Sequence, residues 1–176
     1  MLEALGASLA GARILEVGGG SGIAQLEMLR RGAGSTLCVE LSEDTAAEAE
    51  ALLREAGFEG RFSRIHGDFV HLAPTLGRAD VVFLNRVVCC YPDMPALVDA
   101  AVGRAGGRAA FSFPRDRWWV RLQFSLMNLL LRLRRIDFRV FVHDPDAVTA
   151  RLRDGGMIRL AGGTTPMWHW SVWEAG

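Results

Sequence analysis

The chain has 176 residues, 50% of them apolar, which is enough for one hydrophobic core and too few for two. Its 20 basic residues are all arginine and balance 20 acids, so the net charge offers no electrostatic footprint for nucleic acid. The opening MLEALGASLAGAR lacks the basic start and long apolar run of a secretory signal, which points to the cytoplasm; Cys38, Cys89 and Cys90 are an odd count without metal-ligand spacing, and a bridge between neighbours Cys89 and Cys90 would be strained, so all three read as reduced thiols and no metal is expected.

After a short N-terminal cap over residues 1–12, ARILEV predicts a first strand that runs into Gly18–Gly22 and then the helix-compatible IAQLEMLRRG. STLCVEL predicts a second strand. SEDTAAEAEALLREAG is the clearest helix, with Ser42, Glu43 and Asp44 at its start, strong helix formers in the middle and Gly57 at the C-terminal cap. RFSRIHG, ADVVFLN and GRAAFSF predict three more strands. Residues 114–143 depart from a minimal fold and are taken below as an insertion on the substrate side. DPDAVTARL then predicts a helix capped by Asp144 with Pro145 as its first residue. Two strand-like runs close the chain around Gly162, Gly163 and Pro166, with Trp168 and Trp170 on one face and Trp173 on the other. The alternation predicts an α/β fold with a parallel sheet wrapped by helices, and no repeat or linker divides residues 1–176, so one domain is expected.

An apolar strand that ends in three adjacent glycines and leads into a helix brings bare backbone against a nucleotide-like ligand, whereas an ordinary tight turn needs only one or two glycines. A dinucleotide fingerprint, G-x-G-x-x-G/A, fails here because its third position falls on Ile23. Gly18, Gly20 and Gly22 instead read G-x-G-x-G, with Glu16 two residues upstream.

The pattern E-x-G-x-G-x-G after the first strand resembles the signature motif of class I S-adenosylmethionine-dependent methyltransferases. The resemblance implies a Rossmann-like, doubly wound, mostly parallel seven-stranded sheet with a C-terminal antiparallel hairpin. It also implies S-adenosylmethionine as cofactor and S-adenosylhomocysteine as product. Carried onto this chain, it places Glu16, Gly18, Gly19, Gly20 and Gly22 at the cofactor. Glu40, followed by Leu41, would receive the ribose hydroxyls, since one carboxylate accepts two hydrogen bonds. Asp68 and Phe69 would meet the adenine, and Asn85 and Arg86 the methionine end. Beside these stand plainer readings: Glu40 as an exposed acid at a strand end, Asp68 as the N-cap of FVHLAPTL, and Arg86 as the partner of a loop carboxylate.

In the second half, VVCCYPD and FRVFVHDPDAVTARLRDGGM look like magnesium protoporphyrin O-methyltransferases, a family with His-Tyr-Pro at the first place and aromatic-x-His at the second. Tyr91, Pro92 and His143 match, and Cys90 stands where that family has its first histidine. The family's long N-terminal segment over the cofactor has no counterpart in the residues before the first strand. Methyl transfer needs the acceptor aligned and water excluded, and needs a base only for some acceptors. The resemblance makes His143 the candidate base and Tyr91 the orienting group, against the plainer reading of His143 as a loop residue. His66 and His71 flank the presumed adenine loop, and His169 lies in the last strand pattern.

Within residues 114–143, Arg117, Arg121, Ser125, Asn128, Arg132 and Arg135 recur at steps of four, four, three, four and three, one polar stripe on an otherwise apolar helix. Residues 117–135 are open to four readings: a helix buried in its own domain, a wall of an acceptor pocket, a homodimer contact, or a helix lying peripherally in a membrane interface. Arginines interrupt the apolar run too often for a membrane span. Together these features point to methyl transfer, most simply O-methylation, to a small-molecule acceptor that is large and apolar, such as a tetrapyrrole, quinone, polyketide or lipid-like molecule, with the arginines able to meet a carboxylate. A catalytically silent cofactor-binding or scaffold subunit that needs a partner to close its site is the alternative.

Overall fold

Aliphatic and β-branched runs form five parallel strands, β1 (Arg13–Val17), β2 (Ser35–Glu40), β3 (Phe62–His66), β4 (Ala79–Asn85) and β5 (Ala105–Pro114), in the computed structural model, which describes residues 1–176. Helix α1 (Leu2–Leu5) precedes them, and between and after them lie α2 (Ile23–Arg30), α3 (Ala46–Glu55), α4 (Phe69–Leu72), α5 (Met94–Arg104), α6 (Trp118–Leu133) and α7 (Pro145–Asp154). The last two strands, β6 (Met157–Thr164) and β7 (Trp168–Ala175), form an antiparallel hairpin, and β7 inserts antiparallel beside β5. The seven strands lie in the order β3-β2-β1-β4-β5-β7-β6. The chain winds outward from β1 to β3, returns to place β4 on the other side of β1, and so leaves a crevice at the carboxyl ends of β1 and β4.

Because side chains alternate along a strand, each interior strand feeds two cores. On one face Val82, Leu84, Phe111 and Trp173 pack with Leu97 and Val98 of α5 and Val148 and Leu152 of α7. On the other, Ile14, Phe83, Ala110 and Val172 pack with Leu26 and Leu29 of α2 and with Leu5 and Leu9 of the N-terminal cap. Trp173 is buried with its indole N–H donating 2.8 Å to Ser171 Oγ, while Trp168 and Trp170 sit half-buried on the opposite side, the division the alternation predicts.

Three local outcomes differ from the sequence reading or sharpen it. Helix α3 begins at Ala46, not at Ser42, because Ser42 and Asp44 bond to each other and to local backbone, an alternative to helix that short polar side chains offer. It ends as expected at Gly57, where φ is +80° and Phe58 N–H reaches back to the Leu53 carbonyl. Helix α6 stops at Leu133, with Arg135 at φ +58°, and the expected polar stripe does not face one environment. Asn128 turns inward, where its side chain donates to and accepts from the backbone of Val140 at 2.7 and 2.9 Å, in line with buried Val120 and Phe124. The helix is not buried in its own domain: Leu122, Leu126, Leu129 and Leu133 are all exposed.

Phe111 is fully buried in β5 between β4 and β7. Phe111→Ala is therefore expected to cost about 3–5 kcal/mol, measured as a lower urea midpoint at unchanged m-value.

Candidate active site

Two depressions flank the sheet. One, of about 340 Å³, lies at the amino ends of β1 and β2 among Arg13, Ser35 and Phe62, away from the glycine loop. The other, of about 490 Å³, opens at the carboxyl ends, where open α/β sheets place their ligands, and it gathers most of the predicted residues.

Of the glycine loop, Gly18 reaches the cavity, while Gly19, Gly20 and Gly22 do not line it. Gly18, at φ +68°, lines the cavity, and an added Cβ would meet Val87 at 2.6 Å. Gly19 runs over the buried side chains of Glu16 and Cys38, where a Cβ would lie 2.6 Å from Glu16 Oε2 and 2.7 Å from Cys38 Sγ. Gly20 donates its N–H to Glu40 Oε2 at 2.9 Å, and Gly22 is the left-handed N-cap of α2. Glu40, at the end of β2, also accepts from Ser42 N–H at 3.1 Å, so two backbone amides aim its carboxylate along the cavity wall. Each carboxylate oxygen keeps lone pairs for a ligand.

Glu16 does not line this cavity. It is 2% exposed beneath the loop, and Oε2 has no hydrogen-bond partner. Burial pushes its carboxyl up to about 8, with Arg64 pulling the other way and Glu40 adding to the rise. Burial likewise lifts the neighbouring Cys38 thiol to about 12.

Leu41, Asp68 and Phe69 line the second wall. Asp68 does what its N-cap reading required, accepting Val70 N–H at 2.9 Å, and it also receives the Tyr91 hydroxyl at 3.0 and 2.9 Å. Burial and Asp68 together raise the Tyr91 phenol to about 12. Arg86, with φ +61°, lines the cavity with its guanidinium 5.0 Å from the Trp168 ring, and it makes no ion pair within the chain. The plainer reading of Arg86 as the partner of a loop carboxylate therefore does not hold. Asn85 points away: its side-chain oxygen accepts from Ser112 Oγ at 2.8 Å, and the same hydroxyl accepts Arg86 N–H at 2.9 Å, so Asn85 shapes the loop from behind.

His143 is the main displacement from expectation. Its ring stacks on Phe141, its Nε2 donates to the Tyr91 carbonyl at 2.9 Å, and it does not line the cavity. It braces the Tyr91 backbone. No residue of the N-terminal cap lines the cavity either; Leu5 and Leu9 are buried in the sheet core.

The sequence reading missed several wall residues. Phe138, Arg139 and Phe141 reach the cavity from the irregular stretch after α6, and Cys90 does so beside Tyr91, its Sγ 3.6 Å from Cys89 Sγ. Arg64 was missed as well. From β3 its guanidinium bonds Gln25 Oε1 and the Gly20 carbonyl, both at 2.8 Å, which ties the loop to α2. A lone arginine inside a strand pattern was the only signal for it.

The family model for a methyltransferase domain matches residues 14–104, more than half of the chain. No curated protein matches it by sequence. Among solved structures, the chain is similar to magnesium protoporphyrin IX methyltransferase from Synechocystis PCC 6803 with bound SAH, at TM-score 0.80 and 20% identity over 99% of this chain and 78% of that one. An O-methyltransferase family protein from Burkholderia thailandensis superposes at TM-score 0.81 and 17% identity, over 99% of this chain and 54% of that one. An S-adenosylmethionine-dependent methyltransferase from Mesorhizobium loti does so at 0.72 and 18%, over 98% and 95%. At such identities the superpositions establish the shared fold.

The buried Glu16 has a consequence for pH. Its folded-state value of about 8 stands above the ordinary 4.5, so folding holds a proton that the unfolded chain releases. Its contribution to stability is complete below the unfolded value and is lost as pH rises from 4.5 towards 8. Relative to Glu16→Gln, the unfolding free energy of the native chain is expected to fall across that window, at up to about 1.4 kcal/mol per pH unit. Parallel urea-unfolding curves for the two proteins would show instead that Glu16 ionises normally.

Proposed function

The chain belongs to the methyltransferase-domain family, and from that premise we propose that it transfers a methyl group from S-adenosylmethionine to an oxygen of a large, apolar small-molecule acceptor, leaving S-adenosylhomocysteine. One observation carries this reading. A single cavity joins the bare backbone of Gly18 and the Glu40 carboxylate, which the Gly20 amide holds, to a wall of Tyr91, Phe138 and Phe141 that carries Arg86, Arg139 and Asp137.

The first half of the cavity fits a nucleoside. Gly18 presents bare backbone, Glu40 keeps acceptor capacity for a vicinal diol, and Val39, Leu41 and Phe69 supply apolar surface for a base beside Asp68. The SAH bound by the Synechocystis neighbour supports the same ligand here. When bound, the sulfonium supplies an already activated methyl group. The remaining work of the chain is to orient the acceptor oxygen and exclude water.

The second half favours an acceptor that needs no proton removed. His143 is held on the Tyr91 carbonyl, and the Tyr91 hydroxyl donates to Asp68 with its phenol raised to about 12, so neither is poised as a base. A carboxylate is ionised already and requires none. Arg86, uncommitted to any acid and stacked on Trp168, is placed to hold it, while Phe138 and Phe141 take an apolar body. We therefore assign O-methylation of a carboxylate on a large apolar molecule, with Tyr91 and His143 as positioning residues.

Calorimetry with the purified chain tests the cofactor half. Both S-adenosylmethionine and S-adenosylhomocysteine are expected to bind with micromolar dissociation constants, and absence of heat with either would sink the proposal. Glu40→Ala is expected to weaken both by about 1–3 kcal/mol, roughly 5- to 150-fold. An unchanged affinity would remove Glu40 from the site. For the acceptor half, transfer of labelled methyl to a panel of apolar acids and phenols should favour the acids, and Arg86→Gln should raise KM for them.

A further inference from the structure

Helix α6 leaves its apolar side without a partner. Val120 and Phe124 pack inward against Cys89 and Val140, and Asn128 is pinned there, so the inward stripe is narrow. On the opposite side Trp118, Leu122, Leu126, Leu129 and Leu133 recur at steps of four, four, three and four, with Trp118 76% and Leu133 71% exposed. Bulky residues repeating at helical spacing on the outer face form one continuous strip, a kind of patch that marks an interaction surface.

The charges around the strip select the partner. Exposed Arg121 and Arg132 flank one edge of the apolar face and Arg134 the other, so cations stand on both sides of the leucines. Between Pro114 and His143 the chain holds only two acids, Asp116 and Asp137. Asp116 pairs with Arg121, and Asp137 lies at the cavity. A protein with formal net charge 0 thus concentrates its cations beside its most apolar surface. In a two-fold dimer through this face the same arginines would meet one another, and Asp137, exposed and in no ion pair, is the one carboxylate of this segment left to answer Arg132, Arg134 and Arg135. An anionic lipid surface answers all of them at once, the leucines entering the acyl boundary while the guanidinium groups reach back to the headgroups. No helix of the chain is long and apolar enough to cross a membrane, so α6 would lie flat.

We propose that this chain docks on anionic bilayers through the outer face of α6. The position of the cavity gives the docking a use. Phe138, 46% exposed just beyond the end of α6, also lines the cavity, so its mouth borders the proposed lipid contact. On the reading of the cavity given above, an apolar acceptor dissolved in the membrane enters without crossing water.

Vesicle flotation of the full chain tests this, with phosphatidylcholine alone and with phosphatidylcholine mixed with phosphatidylglycerol. The chain is expected to float with the mixed vesicles, to remain behind with the neutral ones, and to be released by salt. Leu126→Glu with Leu129→Glu should abolish flotation, and neutralising Arg132, Arg134 and Arg135 to Gln should reduce it about a hundredfold. Both variants alter exposed side chains, so their circular dichroism and S-adenosylhomocysteine binding should match the native chain, which separates a failure here from a failure of the cofactor site. No flotation, or flotation indifferent to the leucine substitutions, overturns the proposal. So does a dimer in sedimentation velocity that the same leucine substitutions dissolve, since that outcome gives the face to a second copy.

Discussion

The passage of the Gly19 backbone over the buried Glu16 and Cys38 side chains is the contact on which the candidate site depends. With no Cβ in the way, the loop after β1 lies close to the sheet end. There its Gly20 amide meets Glu40 from β2, and its Gly20 carbonyl meets Arg64 from β3. Three neighbouring strands are thereby cross-tied at their carboxyl ends through one turn. A side chain at position 19 would have to displace two buried groups, so the loop would rise and Glu40 would lose one of the two donors that aim it.

Burying Glu16 under that loop has an energetic cost, since an ionised carboxylate is poorly accommodated where one oxygen has no partner. The folded chain meets this by holding the proton, against the pull of nearby Arg64, which favours the ionised form. Such strained polar placements accumulate where a fold serves a ligand instead of its own stability. Arg86, in a left-handed backbone conformation and free of any carboxylate, belongs to the same category.

The other half of the cavity is built differently, from irregular backbone pinned at single points. Asn128 holds Val140, the Cys89 carbonyl accepts Phe141 N–H at 2.7 Å, and His143 holds Tyr91, so the stretch after α6 is fastened once to α6 and twice to the loop after β4. Those fastenings spend the polar groups that chemistry would otherwise use. They leave a wall of aromatic side chains with Arg86 and Arg139, which is the basis of the proposed acceptor, and they set that wall beside the exposed leucines of α6. On the proposed function and the proposed docking, acceptor recognition and surface attachment would draw on one contiguous segment.

The sheet, its helices and the glycine loop were legible in the sequence because each rests on a local rule. Strand runs alternate with helical ones, Gly57 terminates α3, Asp144 and Pro145 begin α7, and Gly18 to Gly22 permit a turn that other residues resist. Glu40 and Asp68 were legible for the same reason, since strand ends and N-caps are local positions. What only the tertiary structure decided are contacts between residues distant in sequence. Arg64 reaches the loop 44 residues before it, His143 turns to a carbonyl 52 residues away, and Asn128 leaves its apparent polar stripe to hold Val140. A periodic pattern states that a helix has two faces, but which of them the fold covers depends on the volume left beside it. Beside α6 only Val120 and Phe124 found that volume, and the leucines remained outside.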